Sequence, residues 1–291
     1  MKKNTILSVD EQAELLEFLM KNIAGKSRTN IKSLLVNEQI LVNNKIVRQY
    51  NHQVNPKDEV TIVWTKQRDQ KKLKGIKIIY EDSAIIVIEK NEGILSIASE
   101  KEKENTAYSA LREYVKGQNP KNKVFIVHRL DRDTSGVMIF AKTEKIKNEL
   151  QENWDKLVKE RKYIALVEGK VKEDRGTIKS WLKENKAMVI YSTFSEKDGG
   201  KLAITNYEVK KKNERVSLVE VELETGRKNQ IRVHMKDINH PIVGDKKYGS
   251  KLNLIKRLGL HAKSIKFIHP LTKKMVEFTS EIPNDFLRFF K

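Results

Sequence analysis

The run His128-Arg129-Leu130-Asp131-Arg132-Asp133-Thr134-Ser135-Gly136 concentrates the side chains of this chain best suited to chemistry. Two aspartates alternate with two arginines, so each carboxyl has a neighbouring cation that favours its ionised form. An anion of this kind acts as a nucleophile or a general base. Apolar runs at 124–127 and 137–141 bound the segment, the pattern of a polar turn between two strands, where rigid scaffolds commonly present reactive groups. Taken alone, the run also fits a hydrogen-bonded turn with surface ion pairs worth about 0–1 kcal/mol each. Asp131 and Asp133 have the oxygens a nuclease uses to hold a metal, but Arg129 and Arg132 oppose a bound dication. A glycoside hydrolase also works with two carboxylates, yet a strongly positive chain without aromatic clustering suits a polyanion better than a neutral sugar.

The elements around this turn read as α+β. Short apolar runs at Ile76–Tyr80, Ala84–Glu89, Val124–Val127 and Val137–Ala141 predict strands, and Ala107–Val115 and Glu144–Trp154 predict helices. In Val219–Thr225, Val219, Val221 and Leu223 alternate with Glu220, Glu222 and Glu224, predicting a strand with one wet face. A single mixed sheet with covering helices is the economical architecture. Upstream, Leu15, Leu16, Leu19 and Met20 fall at helical spacing within 11–20, and Ser27 opens a second helix through Ile31, Leu34 and Leu35. A hairpin over Ile40–Val47 turns on Asn43-Asn44, and Pro56-Lys57-Asp58-Glu59 leads into a strand over Val60–Trp64. Between these regions the charged stretch 66–75 has no apolar period and reads as a linker. The expected organisation is a small domain over 1–65 and a larger one over 76–291.

Composition narrows the partner. With 58 Lys and Arg against 39 Asp and Glu, the formal charge is +19, which favours nucleic acid. The chain has 0 cysteines, excluding disulfides and thiolate chemistry. Met1-Lys2-Lys3 leads into Asp10 and Glu11 without a sustained apolar stretch, and no run reaches the roughly 20 apolar residues of a membrane span, so a cytoplasmic protein is expected. Gly25-Lys26-Ser27 imitates a phosphate-binding loop, but Met20 stands where that motif needs glycine.

The pattern His-Arg-Leu-Asp-x-x-Thr-Ser-Gly closely resembles the active-site signature of the RluA/RluD family of RNA pseudouridine synthases. Lys162-Tyr163-Ile164-Ala165-Leu166-Val167-Glu168-Gly169, Thr225–His234, Gly244-Asp245-Lys246-Lys247-Tyr248-Gly249 and Leu260-His261-Ala262 follow in that family's order. The resemblance implies a mainly antiparallel mixed sheet and an isomerase that breaks the uracil N1–ribose bond, turns the base and rejoins it through C5, without any cofactor. It implies that Asp131 is the essential carboxylate, attacking C1′ or taking a proton from C2′, with both routes open to the sequence. It further implies that Arg232 pairs directly with Asp131, that Tyr163 packs on the uracil, and that Arg129 fills the space left by a flipped-out base. Arg227 lies in the matched segment as a candidate RNA contact.

Residues Asp10 to Trp64 resemble the αL RNA-binding domain named after ribosomal protein S-four, which implies that Lys26, Arg28, Asn30 and Lys32 meet phosphates at a helix start. The implied substrate is large-subunit ribosomal RNA, with transfer RNA as the alternative, and a monomer is the default. One position departs from the pattern. Asn229 stands where many members have histidine, so it can hydrogen-bond but cannot become cationic.

Overall fold

A computed structural model of the chain describes residues 4–23, 25–36, 39–63, 73, 75–98, 102 and 105–290. It divides into two compact units, Met1–Lys71 and Lys72–Lys291. The linker expected over 66–75 lies outside the described residues except for Leu73 and Gly75. Among the described residues no helix is long and apolar enough to cross a membrane.

The first unit contains β1 (Thr5–Ser8), β2 (Ala13–Glu14), α1 (Leu15–Asn22), α2 (Arg28–Val36), β3 (Ile40–Val42), β4 (Lys45–Ile46), β5 (Gln53–Val54) and β6 (Glu59–Ile62). Strands β1-β6-β3-β4 form one sheet, and β2 pairs with β5. The β3–β4 turn places Asn43 and Asn44 at φ 49° and 64°, a left-handed geometry that asparagine tolerates. Three expectations are corrected here. The first helix starts at Leu15 rather than Glu11, because Ala13 and Glu14 pair with Val54 and Gln53, and the N–H groups of Leu15 and Leu16 donate to His52 and Tyr50 carbonyls. Met20 is exposed, and Phe18 joins Leu15, Leu16 and Leu19 in the core. Strand β6 ends at Ile62, and Trp64 lies outside the described residues.

The second unit runs β7 (Ile76–Glu81), β8 (Ile85–Lys90), α3 (Ala107–Gln118), β9 (Phe125–Ile126), β10 (Ser135–Ala141), α4 (Glu144–Glu152), α5 (Trp154–Leu157), β11 (Val158–Glu168), β12 (Arg175–Glu184), β13 (Ile190–Thr193), β14 (Lys201–Lys212), β15 (Val216–Leu223), α6 (Gln230–Asp237), β16 (Leu260–Ile268), β17 (Met275–Thr279) and α7 (Asn284–Leu287). The sheet follows the order β13-β12-β14-β15-β11-β16-β10-β8-β7, with β17 on β16 and β9 on β10. Only β10 and β16, among the described pairs, run parallel. The helix expected over 144–154 is broken at Asn153, whose side-chain amide donates to the Glu149 carbonyl and whose own carbonyl accepts from Lys156 and Leu157.

At the centre of the sheet both faces are covered, which is why β10 is buried along its whole length, whereas β12 and β17 keep an exposed face. Its Met138 and Phe140 cluster with Leu111 and Val115 of α3, while Val137, Ile139 and Ala141 meet Ile146 and Leu150 of α4. Along β11 the same alternation sends Ala165 and Val167 to Ile231 and Met235 of α6, and Ile164 and Leu166 to Phe286 of α7. Tyr163 of β11 packs in both the α3 and the α6 cluster, so the two helices cover the same face.

At the centre, Ser135 and Gly136 of β10 pair with His261 and Ala262 of β16. Gly136 has φ +115°, and a Cβ there would overlap the Ala262 carbonyl oxygen. Gly136→Ala is expected to lower the unfolding free energy by about 3 kcal/mol or more, read from urea denaturation. A substitution within about 0.5 kcal/mol of wild type would show that this crossing tolerates a side chain.

Candidate active site

The loop from His128 to Thr134 is fixed from beneath, one residue at a time. The half-buried His128 ring accepts the Ile139 N–H at Nε2 (3.0 Å) and packs against Trp154, ring centroids 5.1 Å apart. Leu130 enters the core under α3, and its N–H and carbonyl both bond to the buried Ser96 hydroxyl, at 3.0 and 2.7 Å. Lys90 has no exposed surface and donates to the carbonyls of Asn91, Ile94 and Arg132 at 2.9, 2.7 and 2.9 Å. Burial lowers its pKa to about 8 against the charges of Asp133, Glu92 and Asp131, so it is still an ammonium at pH 7. Both neighbours of Asp131 are thus held through their backbones, and the Thr134 N–H closes the turn on the Asp131 carbonyl (3.2 Å). The Asp131 carboxyl projects from this clamp with 26% of its side chain exposed.

Facing it is Arg232 on α6. Its Nη1 lies 3.5 Å from Asp131 Oδ2. The stronger partner is Asp245, only 1% exposed, which accepts from Nε and Nη2 at 2.7 Å each. The guanidinium also donates from Nη1 to Asn229 Oδ1 (3.3 Å) and lies 4.9 Å from the Tyr248 ring centroid. Burial opposes the charge on Arg232, but the hydrogen bonds to Asp245 and the charges of Asp245 and Asp131 outweigh it and raise its pKa. Asn229 sits before α6 at φ 55°, and its amide donates to the Tyr248 hydroxyl (2.9 Å). The asparagine is therefore a neutral bridge between Arg232 and Tyr248.

Helix α6 is anchored by Gln230, which accepts from Thr225 Oγ1 and the Arg227 N–H and donates to Ile204 O and Thr205 Oγ1. His234, fully buried, bonds Thr205 and Ser180 through its two ring nitrogens at 2.8 and 3.0 Å. Tyr163 on β11 lies opposite Val221 and Ala262 and packs against both the cluster under α3 and the cluster under α6. Burial raises its pKa, Arg161 lowers it, and the charge of Asp131 raises it again, so it remains a neutral phenol at pH 7.

The structure thus gathers Asp131, Tyr163 and Arg232 on the face shared by α3 and α6. Arg129 and Arg227 are exposed in the same unit. Arg227 donates from Nε to Leu202 O (2.9 Å), whereas Arg129 makes no bond to any described residue. Lys26, Arg28 and Lys32 are exposed at the start of α2 in the first unit, with Lys32 Nζ 4.9 Å from the Tyr50 ring centroid. The Asn30 N–H bonds the Ser27 hydroxyl that opens this helix (3.3 Å). Sequence reasoning gave no role to Asp245, Tyr248, Lys90 or Ser96. Asp245 and Tyr248 lay in a quoted motif, and Lys90 ends an apolar strand, which was a signal in itself.

Comparison with known proteins places the chain in a family. The family model described as RNA pseudouridylate synthase matches residues 84–237, which contain Asp131, Tyr163 and Arg232. An uncharacterized RNA pseudouridine synthase of Bacillus subtilis, YhcT, is 30% identical over 286 residues, covering 96% of this chain and 93% of that one. Ribosomal large subunit pseudouridine synthase D of Buchnera aphidicola is 33% identical over 282 residues, covering 90% and 87%. In fold, human RNA pseudouridylate synthase domain containing 4 superposes with a TM-score of 0.61 at 22% identity, covering 72% of this chain and 91% of that one. The fold is that of the pseudouridine synthases, an α+β isomerase architecture. The chain belongs to the RNA pseudouridylate synthase family and is an isomerase acting on RNA.

Three histidines support this site, His234 and His261 buried and His128 half-buried. Burial lowers the pKa of His128 to about 3 and those of His234 and His261 to about 4, from an ordinary 6.5. Below pH 6.5 the unfolded chain takes up protons that the native imidazoles refuse. Their contribution to stability is therefore complete above about 6.5 and is lost as pH falls toward 4, by about 1–2 kcal/mol each at pH 5. Urea midpoints measured from pH 7 to 5 should fall steeply, and a flat profile would contradict neutral burial of these rings.

Proposed function

We propose that this enzyme converts uridine to pseudouridine in large-subunit ribosomal RNA, using Asp131, Tyr163 and Arg232. The observation that carries the reading is the Asp131 carboxyl, clamped through both backbone neighbours and presented beside Arg232 and Tyr163. Its oxygen attacks ribose C1′ or removes the C2′ proton. Either route releases uracil at N1 and the base turns within the site. C5 then displaces the Asp131 oxygen from C1′ on the first route, or adds to C1′ of the glycal as Asp131 returns the proton to C2′ on the second. The C5 proton then leaves and N1 gains one. Every atom of substrate is accounted for without a cofactor. Tyr163 supplies a flat surface for the turning base, and its neutral hydroxyl is suited to hydrogen bonding or proton relay. Arg232 orients Asp131 and stabilises its charge.

A stacked uridine must be flipped out, at a cost of a few kcal/mol. The free guanidinium of Arg129 is suited to occupy the vacated space, and Arg227 to meet nearby phosphates. Residues 1–65 act as an S-four-like RNA-binding domain through Lys26, Arg28 and Lys32, joined by the segment 66–75 to a catalytic domain over 76–291. The helix, helix, hairpin, strand order of the first unit supports this reading. The ribosomal target rests on relatives named for the large subunit, and the enzyme works as a cytoplasmic monomer.

The test is pseudouridine mapping by carbodiimide labelling and primer extension on ribosomal and transfer RNA from cells lacking the protein. Wild type should restore missing large-subunit sites. Asp131→Asn should bind RNA normally but restore none, with turnover down by about 10³-fold or more. Restoration by Asp131→Asn would overturn the assignment, and sites lost only from transfer RNA would overturn the substrate.

A further inference from the structure

Phe194, just past the end of β13 on the turn into β14, is 98% exposed, and Met188, in the β12–β13 hairpin turn at the other end of that strand, is 68% exposed. Solitary exposed apolar residues are ordinary, but this ring is held in place by the backbone on either side of it. The Thr193 hydroxyl donates to Trp181 O (3.0 Å), and Ser195 Oγ accepts the Lys197 N–H (3.1 Å). Gly199, at φ +76°, closes the turn by donating to Glu196 O (2.8 Å), and Gly200 packs against Trp181 and Thr193. The ring is offered to solvent by an ordered turn.

This hairpin is continuous with the candidate active site. The Ile190 N–H donates to the Tyr248 hydroxyl (3.3 Å), the same oxygen that receives Asn229, and Asn229 holds Arg232. Lys247 Nζ donates to Met188 O (3.0 Å), and Ser192 bonds Asp237 at the end of α6. The turn that carries Phe194 contains Lys197 and leads into Lys201, Lys183 reaches the same turn by donating from Nζ to Asp198 O, and exposed Arg227 lies beside β14 through its bond to Leu202 O, so these cations outnumber Glu196 and Asp198. A flat apolar ring in a cationic rim matches a nucleotide, whose base has a π face and whose phosphate is an anion. A second protein copy would need a wider contiguous apolar area than these few side chains provide.

We infer that Phe194 stacks on an unpaired base of the RNA substrate, as part of a binding surface running from the β12–β13 hairpin to the active site. This rests on the proposed action on large-subunit ribosomal RNA. Flipping the target uridine deprives its neighbours of a stacking partner, and an aromatic ring on a fixed turn replaces one. Because stacking is not ionic, Phe194 contributes affinity without contributing to its salt dependence.

The test compares full-length wild type, Phe194→Ala and Phe194→Trp on unmodified large-subunit ribosomal RNA transcribed in vitro, measuring Kd and single-turnover pseudouridine formation. Phe194→Ala is expected to weaken binding about tenfold, with the slope of log Kd against log salt unchanged, and Phe194→Trp to restore it. Lys201→Ala should instead reduce that slope by about one. Wild-type affinity and rate in Phe194→Ala, on RNA that wild type modifies, would overturn the stacking surface and leave the enzyme assignment intact. Wild type that neither binds nor modifies this RNA would overturn the substrate reading and the surface together. A concentration-dependent dimer in sedimentation, abolished by Phe194→Ala, would assign the ring to self-association and also overturn the proposal.

Discussion

The site depends on a guanidinium that is already committed. Arg232 spends Nε and Nη2 on the buried Asp245 in a two-pronged bond, and only Nη1 is turned toward Asp131 and Asn229. Bidentate pairing fixes the plane of the guanidinium as well as its position. Its approach to Asp131 is longer and single, so Asp131 has a nearby positive charge without being locked in a closed ion pair. A carboxylate caught by both prongs would be a poorer nucleophile and a poorer base. Tyr248 and the neutral Asn229 complete the support without adding charge to it.

That arrangement requires three segments distant in sequence to meet with little tolerance. The parallel crossing of β10 and β16 at Gly136 sets the spot from which the Asp131 loop departs. Lys90 and Ser96 then hold the carbonyls and N–H groups of the loop, while buried His234 and Gln230 tie α6 to β12 and β14. The polar groups that hold the loop and α6 are bonded to their neighbours, which makes this region costly to deform and keeps the reactive carboxyl in register with Arg232. The centre of the sheet between them, where β10 is buried on both faces, supplies the rigidity that preorganised catalysis needs.

Much of this was legible in the sequence because it is local. The polar turn between apolar runs, the alternation of Val219 and Val221 with glutamates, the Asn43-Asn44 hairpin and the buried Ile31, Leu34 and Leu35 all follow from periodicity and turn chemistry. Failures came where a specific bond overrode the local periodicity. The start of α1 was set by pairing of Ala13 and Glu14 with residues some forty positions away, and the break at Asn153 by a side chain competing for the Glu149 carbonyl. Strand β1 is short and half-exposed, with too little pattern to be read alone. Asp245 lay in plain view within a motif, but an ion pair across an intervening loop leaves no local trace. The expectation that Arg232 meets Asp131 omitted the partner that positions it.

The most direct test is therefore Asp245→Asn, which keeps a hydrogen-bonding side chain but removes the charge holding Arg232. Single-turnover release of tritium from large-subunit ribosomal RNA labelled at uridine C5 would report the isomerisation, and a thermal melt would confirm folding. A slowing of about tenfold or more at pH 7, with RNA affinity within about twofold of wild type and partial recovery in Asp245→Glu, is the expected result. A folded Asp245→Asn enzyme that released tritium at the wild-type rate would contradict the central claim that the Asp245–Arg232 pair prepares Asp131 for reaction.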